Sequence, residues 1–345
     1  MKSTGISPWV SVAALTGALF AAAVVALAVG SVSVPPGQII SLLLHQLHLS
    51  EGGTWTTAQA AVIVQVRLPR VLMACLVGGG LALSGAVMQG IFHNPMADPG
   101  LLGVSSGAAL GAVLALHLGL AVQHYFVLPG LAFLGALLAA ITVYGMATSG
   151  GKTPIATLLL SGIAVGSLNV ALTSFILSTS RESVLREILF WLMGGLEAST
   201  WEHVRLSAPV VLLGAGAIML FARDLDIMLL GEQRALTLGV DAQRCRHILL
   251  TLATAMTAIV VAFSGTVGFV GLIVPHMLRL LVGPNHHRLL PVSFLGGGTF
   301  LILADLMARV LVRPQELRLG VITALVGVPF FLYLLRANRR GLEPL

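Results

Sequence analysis

A phosphate-binding loop is the first chemistry that the sequence suggests. Residues Ser149 to Thr153 read SGGKT, which ends like the pattern G-x-x-x-x-G-K-[ST] that cradles nucleotide phosphates. That pattern requires a glycine where this chain has Met146, and it requires a preceding strand. The segment is therefore predicted to be a turn between two helices, and we expect the chain to bind no nucleotide of its own.

Two pairs of histidines are spaced closely enough to hold a metal ion. His45 and His48 are three residues apart, and His286 and His287 are adjacent. The sequence offers no carboxylate or cysteine cluster that would complete a coordination shell around either pair. We expect solvated loop histidines, with transient contact to a metal-bearing substrate as the alternative. No bound metal or cofactor is expected, and no Ser/His/Asp or paired-carboxylate arrangement suggests catalysis.

Charged residues inside apolar runs are the third candidate. Asp305 and Arg309 lie one helical turn apart within an apolar segment, where an unpaired charge is energetically unfavourable. One interpretation is mutual neutralisation. The other is that Asp305 directs Arg309 toward an outer opening where Arg67 and Arg70 also lie. Three arginines around one opening would present a positive field to an acidic partner.

The longest polar stretch of the chain covers residues 223–246 and reads RDLDIMLLGEQRALTLGVDAQRCR. Residues 232–238 are predicted to form a short helix that Gly239 ends in a left-handed conformation, and Asp241 is predicted to be the N-cap of the next helix. Leucines at 229, 230, 236 and 238 and the alanine at 235 give this segment an apolar side. That side either packs on the chain's own membrane domain or fills a groove in a partner.

The composition determines the environment of these candidates. Hydrophobic residues make up 57% of the 345 residues, charged residues make up 9%, and the mean hydropathy is +0.98. A soluble fold of this composition would lack polar side chains to cover its surface, so we expect a polytopic membrane protein. Since about 20 apolar residues cross a bilayer as a helix, residues 1–345 fit one all-α transmembrane domain of about ten helices.

Apolar runs predict where these ten spans lie. They are placed near 9–32, 58–91, 101–116, 125–147, 155–178, 202–222, 246–264, 266–283, 289–312 and 319–336. Residues 33–57 are expected to form an outside loop with an interfacial tryptophan. A cleaved signal peptide is the alternative for the first span, but its apolar core of about twenty residues exceeds the usual length. Ten spans place both termini on one side, and Lys2, Arg336, Arg339 and Arg340 predict that this side is the cytoplasm.

Small residues and tryptophans predict how some of these segments pack. Gly103, Gly107 and Gly111 recur every four residues and leave one side of the third span nearly bare, which predicts close approach of another helix. Residues 181–200 are apolar at every third or fourth position, with tryptophans at 191 and 201. This pattern predicts a short amphipathic helix at the outer interface.

Several segments, in order along nearly the whole chain, carry a family resemblance. They are RLPR (67–70), LALSGAVMQGIFHNPMADPGLLGVSSGAALG (81–111), FWLMGGL (190–196), LGEQRALTLGV (230–240), GTVGFVGLIVPHMLR (265–279) and ELRLGVITALVGVPFF (316–331). Together they resemble the permease subunits of ABC importers for iron-siderophores, haem and cobalamin. The resemblance implies a type II importer permease fold of ten helices.

The resemblance also implies partners and site residues. The chain would work as a homodimer in the lipid of a bacterial inner membrane, with the translocation path at the dimer interface. Two ATP-binding subunits would hold ATP and magnesium, and a periplasmic substrate-binding protein would deliver the cargo; no nucleic acid partner is expected. The segment that couples to the ATPase would comprise Gly231, Glu232, Ala235, Leu236, Leu238, Gly239 and Val240. Arg67, Arg70 and Arg309 would dock the binding protein. A cytoplasmic gate would lie at Ala156 and Thr157, although the alanine stands where a polar residue is expected.

The expected function is therefore transport without covalent chemistry, so the chain is not expected to be an enzyme. The resemblance implies import of an iron-siderophore, haem or cobalamin from periplasm to cytoplasm. The outer amphipathic FWLMGGL segment and the absence of a charged lining favour an iron chelate, haem or a siderophore, with cobalamin as the alternative cargo. A secondary transporter driven by an ion gradient is the more distant alternative. Such proteins usually place unpaired acidic residues or broken helices at the membrane midplane, whereas Asp305 has Arg309 beside it.

Overall fold

The structure is a computed structural model that describes residues 8–30, 34–46, 48–49, 53, 55–150 and 152–339. Across those ranges the chain is helical, and the one pairing of extended residues is an isolated bridge between Ser149 and Lys152. In chain order the helices are α1 (Pro8–Ala28), α2 (Pro36–Gln46), α3 (Thr57–Ala61), α4 (Leu68–Ile91), α5 (Val104–His117), α6 (Val127–Ala147), α7 (Ile155–Thr179), α8 (Glu182–Leu192), α9 (Trp201–Leu220), α10 (Ala222–Met228), α11 (Glu232–Thr237), α12 (Ala242–Ser264), α13 (Val270–Val282), α14 (His286–Val310) and α15 (Leu319–Arg339). A π-helical turn (Val62–Arg67) joins α3 to α4, and 3₁₀ turns cover Pro99–Leu102 and Leu120–Val122.

Ten of these segments correspond to the predicted spans. Seven are long and apolar enough to cross a membrane: α1, the continuous run from α3 through α4, α6, α7, α9, α12 and α14. The shorter apolar helices α5 and α13 and residues 319–333 of α15 supply the other three. The prediction of an all-α polytopic protein is confirmed. The physical reason is that lipid offers no hydrogen-bond partners, so each apolar run satisfies its own backbone groups as a helix.

The prediction for residues 33–57 was wrong in part, because α2 lies inside the segment that was expected to be a loop. Two prolines suggested a loop, yet Pro36 occupies the first helical position, where a missing N–H does no harm. The apolar side chains that follow then give α2 a buried side, on which Ile39 and Leu42 are almost fully enclosed. The first span also ends earlier than expected, at Ala28.

Helix α4 is the centre of the bundle, and nearly all of its side chains are buried. It packs against α14, α12, α13 and α9. A Cβ atom at Gly78 would lie 2.2 Å from the carbonyl oxygen of Gly297 in α14, and one at Gly85 would lie 1.8 Å from that of Gly271 in α13. Backbones therefore touch at both crossings, which only glycine permits.

The glycine side of α5 also meets another helix. A Cβ at Gly107 would lie 2.3 Å from the carbonyl oxygen of Gly135 in α6, and one at Gly111 would lie 2.1 Å from that of Leu131. A Cβ at Gly103 would also face α6, but at an ordinary contact distance of 3.8 Å from Ala139. Gly103 precedes α5 at φ +74°, where it ends the 3₁₀ turn and starts the helix. Glycine at this position is therefore required first by the left-handed backbone of the turn, which a residue with a side chain rarely adopts.

The amphipathic helix predicted within residues 181–200 is confirmed as α8. The chain after it is fixed by backbone hydrogen bonds, from Gly195 to the carbonyl oxygen of Ser264 at 2.8 Å and from Gly320 to that of Met193 at 3.0 Å. Phe190, near the end of α8, lies under the guanidinium of Arg318. These contacts attach α8 to the ends of α12 and α15.

Candidate functional site

Helix α11 is a short segment delimited by two glycines. Gly231 precedes it at φ +96° and Gly239 follows it at φ +83°, backbone conformations that residues with a side chain rarely adopt. Asp241 then caps α12 by accepting two backbone N–H groups of its first turn, at 3.1 and 3.0 Å. The predicted helix, its glycine stop and its aspartate neighbour are confirmed, with the helix ending at Thr237 rather than Leu238.

The apolar side of this segment is divided between the chain itself and solvent. Ala235 is fully buried against the bundle, whereas Leu236 and Leu238 are 69% and 55% exposed. Leu229 and Leu230, which precede the helix, are also exposed. Of the two alternatives from the sequence, packing on the chain's own domain therefore applies to Ala235, and the leucines remain open to a partner.

The two ends of α11 are held to the rest of the chain by different contacts. At its start, the carboxylate of Glu232 accepts a hydrogen bond from Arg246 of α12 at 2.5 Å. After its end, Val240 packs against the hydrophobic core, and its N–H donates to the carbonyl oxygen of Ala235 at 2.9 Å. The helix is thereby fixed at one end of the bundle while its leucines stay uncovered.

The arginine cluster lies at the opposite end of the bundle. Asp226, in α10 just before α11, bonds to His286 at the start of α14. Arg309 is near the other end of α14, whose 25 residues extend roughly 37 Å. That length exceeds the hydrocarbon core of a bilayer, so α11 and Arg309 belong to opposite membrane surfaces.

Arg70 is held by two carboxylates. Its Nε and Nη2 donate to Asp305 at 2.9 to 3.1 Å, and its Nη2 also donates to Glu316 at 2.9 Å. Asp305 is nearly inaccessible to solvent, and it forms a second ion pair with Arg309 at 3.1 Å. The fork of the Arg70 guanidinium matches the carboxylate geometry, as in other bidentate pairs. Asp305 therefore neutralises two arginines, one from α4 and one from its own helix.

Arg67 and Arg309 also bond to the end of α1. Arg67 Nη1 donates to the carbonyl oxygens of Leu27 and Ala28 at 2.6 and 3.3 Å. Arg309 Nη1 donates to that of Ala26 at 3.2 Å. Carbonyl groups at a helix C-terminus lack intrahelical donors and carry partial negative charge, so both guanidinium groups stabilise the end of α1.

These contacts correct part of the sequence interpretation. Arg67, Arg70 and Arg309 do surround one opening, a cavity of about 380 Å³ that Arg313 and Glu316 also line. The sequence paired Asp305 with Arg309 alone, whereas in the structure Asp305 also binds Arg70, and Glu316 binds Arg70 as well. The guanidinium groups are consequently engaged inside the bundle.

The expected gate residues lie on the first turn of α7. Ala156 and Thr157 are both exposed in the single chain. Thr153, three residues before Ala156, is fully buried at the turn between α6 and α7. The turn around the SGGKT segment is confirmed by the bridge between Ser149 and Lys152.

The histidine pairs differ from each other. His45 and His48 are exposed, and the ring of His45 lies 5.6 Å from that of Trp55. His286 was expected to be a solvated loop residue, which was wrong: it is 1% exposed and its Nδ1 lies 2.6 Å from Asp226. The reason is that α14 begins at this residue and packs on α10. Among the described residues no group of three His, Cys, Asp or Glu side chains is arranged to hold a metal ion.

The loop between α4 and α5 belongs to the same end of the bundle as α11. His93 Nε2 lies 3.3 Å from the carbonyl oxygen of Met228, at the end of α10. Asp98 caps the following 3₁₀ turn by accepting the N–H of Gly100 at 2.8 Å. Burial raises the pKa of the Asp98 carboxyl, and this hydrogen bond opposes the shift. Because the raised pKa favours the protonated acid, the contribution of Asp98 to stability decreases as the pH rises through its folded-state pKa.

Comparison with known proteins places this architecture in a family. The model of the FecCD transport family matches residues 18–337. The chain belongs to the FecCD transport family. It is 48% identical to the cobalamin import system permease protein BtuC of Halobacterium salinarum, over 90% of this chain and 87% of that protein. It is 41% identical to the Fe(3+) dicitrate transport system permease protein FecD of Escherichia coli, over 79% and 85% of the two chains.

A solved structure agrees with this assignment. The chain is similar to a metal-chelate type ABC transporter in an inward-facing conformation, with a TM-score of 0.83 and 35% identity over 94% of this chain and 98% of that one. As a member of the FecCD transport family, the protein is a multi-pass permease of an ABC importer. It is a transport component with no catalytic activity of its own.

The sequence interpretation missed two parts of the FecCD-family site. Glu316 was not recognised as a partner of Arg70, because the two residues are far apart in the chain and meet only in the folded bundle. The contacts of Arg246 and Thr153 were also missed. A signal for them existed, since Gln243, Arg246 and His247 are polar residues spaced to share one side of the first two turns of α12.

Proposed function

We propose that this chain is the membrane subunit of an ATP-driven importer and that α11 receives the work of a separate ATPase. The observation that carries this proposal is the pair of exposed leucines, Leu236 and Leu238, on a helix fixed between left-handed glycines. Two large apolar side chains left in water favour a protein groove as their environment. Two ATP-binding subunits holding ATP and magnesium, one for each copy of the permease, fit this requirement.

The translocation path would lie between two copies of the chain, along α7. This helix is long and largely unburied in the single chain. Its exposed positions include a row of small and hydroxyl side chains at heptad spacing, namely Thr157, Ala164, Ala171 and Ser178. A row of this kind suits a water-accessible path better than lipid, and a second α7 across a two-fold axis would complete it. Ala156 and Thr157 would stand at its cytoplasmic end as the gate.

The arginine cluster would receive a periplasmic substrate-binding protein. Its four arginines outnumber the carboxylates of Asp305 and Glu316, so the cavity at this end retains an excess of positive charge. Because Arg67, Arg70 and Arg309 are engaged with the bundle, we propose that they supply the field while the more exposed Arg313 makes direct contact. Acidic side chains on the binding protein would complement this field.

The orientation follows from these assignments. With α11 facing the ATPases, the arginine cluster faces the periplasm, and ten spans return both termini to the cytoplasm of a bacterial inner membrane. Basic residues near both termini support this orientation, since short cytoplasmic segments carry an excess of lysine and arginine.

We propose a bulky metal chelate as the cargo, with cobalamin as the first candidate. The sequence led us to expect an iron chelate, haem or a siderophore. The relative named for cobalamin import shares 48% of its residues with this chain, more than the 41% shared with the relative named for ferric dicitrate. An iron chelate remains the second candidate, favoured by that second relative.

Transport by the reconstituted complex tests this function. The permease, its ATPase and its binding protein would be placed in liposomes and supplied with labelled cyanocobalamin, haemin or ferric citrate. We expect ATP-dependent uptake that stops when the Walker lysine of the ATPase is replaced, with cyanocobalamin taken up fastest. Uptake by the permease alone, driven by a proton or sodium gradient, would refute the proposal.

A further inference from the structure

Thr153, just before α7, is fully buried and held by α12 through each of its polar groups. Its N–H donates to Oε1 of Gln243 at 3.3 Å, and its hydroxyl lies 2.9 Å from Nε2 of His247. Its carbonyl oxygen accepts a hydrogen bond from Nη1 of Arg246 at 3.0 Å. The backbone at Thr153 therefore cannot move without α12 unless several hydrogen bonds break.

The spacing of these three partners explains how one helix holds one residue. Positions 243, 246 and 247 are separated by three and four residues, so they share one side of α12. Thr153 is followed by Pro154, which is the N-cap of α7. The start of α7 is consequently fixed in position by that side of α12.

Arg246 has a second contact that reaches α11. Its Nη2 donates to Oε1 of Glu232, in the first turn of α11, while its Nη1 stays on Thr153. The Arg246 side chain is 3% exposed and that of Glu232 is 59% exposed. One buried guanidinium thus connects the surface helix α11 to the residue that precedes α7.

This connection is the main polar link between α11 and the rest of the chain. Among the described residues, no other side chain of α11 makes an ion pair or hydrogen bond to a different helix or turn. The bond from Arg246 to Glu232 is charge-assisted, and the planar guanidinium fixes the direction of both of its bonds. A movement of α11 is therefore passed on to Thr153 more directly than it would be through apolar contacts, which can slide.

We propose that Arg246 is a positioning residue that carries movement of α11 to the cytoplasmic end of α7. The proposal rests on the proposed function, in which an ATPase moves α11 and α7 lines the path. When Glu232 moves, the guanidinium of Arg246 moves with it, because the two groups are hydrogen-bonded. The carbonyl of Thr153 follows through its own bond to Arg246, and the first turn of α7 moves with it. Opening of the path at Ala156 then follows the ATPase cycle.

The test is chemical labelling of the gate in the full complex. Permease, ATPase and binding protein would be assembled in nanodiscs, with Ala156→Cys introduced and Cys75 and Cys245 replaced by alanine. The rate of maleimide labelling would be compared without nucleotide and with ATP plus vanadate. ATP hydrolysis and the amount of bound ATPase would be measured on the same samples, so that each ratio refers to complete complexes.

Arg246→Met should abolish the effect of ATP on labelling, bringing the ratio of the two rates to about one. Glu232→Gln, at a solvated position where folding is not at risk, should also bring the ratio of the labelling rates with and without ATP plus vanadate closer to one. Arg246→Lys should give an intermediate ratio, because one ammonium cannot hold both the carboxylate and the carbonyl in the geometry of a guanidinium. Arg288→Met is the matched control, since Arg288 is an exposed arginine at the same end of the bundle.

Two results would overturn the proposal, and they are distinguishable. If the Arg246→Met and Glu232→Gln complexes retain their ATPase and show the same ratio as Arg288→Met, Arg246 does not carry the movement, while the proposed function stands. If the complex with the native Arg246 and Glu232 shows no ATP-dependent change at position 156, the proposed function and this inference fail together.

Discussion

Removal of the two exposed leucines of α11 should weaken binding of the ATPase without unfolding the permease. Each Leu→Ala change removes three carbon atoms, and burying one such carbon contributes about 0.8 kcal/mol to the free energy of binding. The loss is therefore about 2.4 kcal/mol for a leucine that the partner buries completely. Leu236 and Leu238 have 69% and 55% of their surface available for a partner to cover. Scaling by these fractions gives about 3 kcal/mol for the double substitution, which is roughly a hundredfold in Kd.

The assay is direct binding of the purified ATPase to the permease in detergent micelles, measured for the native protein and for Leu236→Ala with Leu238→Ala. Since both side chains are already exposed, the thermal unfolding midpoint of the permease should not change. Leu213→Ala is the matched control, because Leu213 is 75% exposed but lies within the predicted span of α9. Its ATPase affinity should equal that of the native protein.

An unchanged Kd for the double variant would refute the reasoning, because it would mean that the leucines of α11 stay in water when the ATPase is bound. A loss of affinity accompanied by unfolding would refute it as well, since the side chains would then support the permease fold rather than the contact.

Three further predictions concern the bundle and its other end. Asp305→Asn should lower the thermal unfolding midpoint and destabilise the protein by about 3–5 kcal/mol, because the buried Arg309 loses its carboxylate and Arg70 loses one of its two; an unchanged midpoint would contradict the structure. Gly107→Ala should lower the free energy of unfolding of the permease by about 1–3 kcal/mol, since its Cβ would lie 2.3 Å from the carbonyl oxygen of Gly135. Gly145→Ala is the control and should leave the stability unchanged, because its Cβ would have no neighbour within 4 Å. Arg313→Glu should weaken capture of the binding protein by about 1 kcal/mol in low salt and by less in high salt. Equal loss at both salt concentrations would argue against an electrostatic contact.

Local patterns in the sequence were enough to place most helices. The apolar runs located the spans to within a few residues, because a chain in lipid must form helices wherever about 20 apolar residues occur together. Helix α11, its glycine boundaries and the Asp241 cap were also predicted, since left-handed glycines and N-caps act within one turn of the chain. The prediction of a loop at α2 was wrong for an equally local reason, because Pro36 was interpreted as a loop residue rather than as the first residue of a helix.

Contacts between distant residues were decided by the tertiary structure. The sequence placed Arg67, Arg70 and Arg309 around one opening, but it gave no sign that Glu316 would pair with Arg70 or that two arginines would bond to the end of α1. His286 was taken as a loop residue because the aspartate that binds it lies sixty residues earlier.

The sequence by itself determined that this protein is a helical membrane protein with a short polar segment between two spans, since hydropathy and turn chemistry depend on neighbouring residues alone. Only the tertiary structure decided which charges neutralise each other and that Arg246 connects α11 to the start of α7. The physical reason is that a buried charge takes whichever partner the packing of the helices brings within about 3 Å, and sequence separation places no limit on that choice.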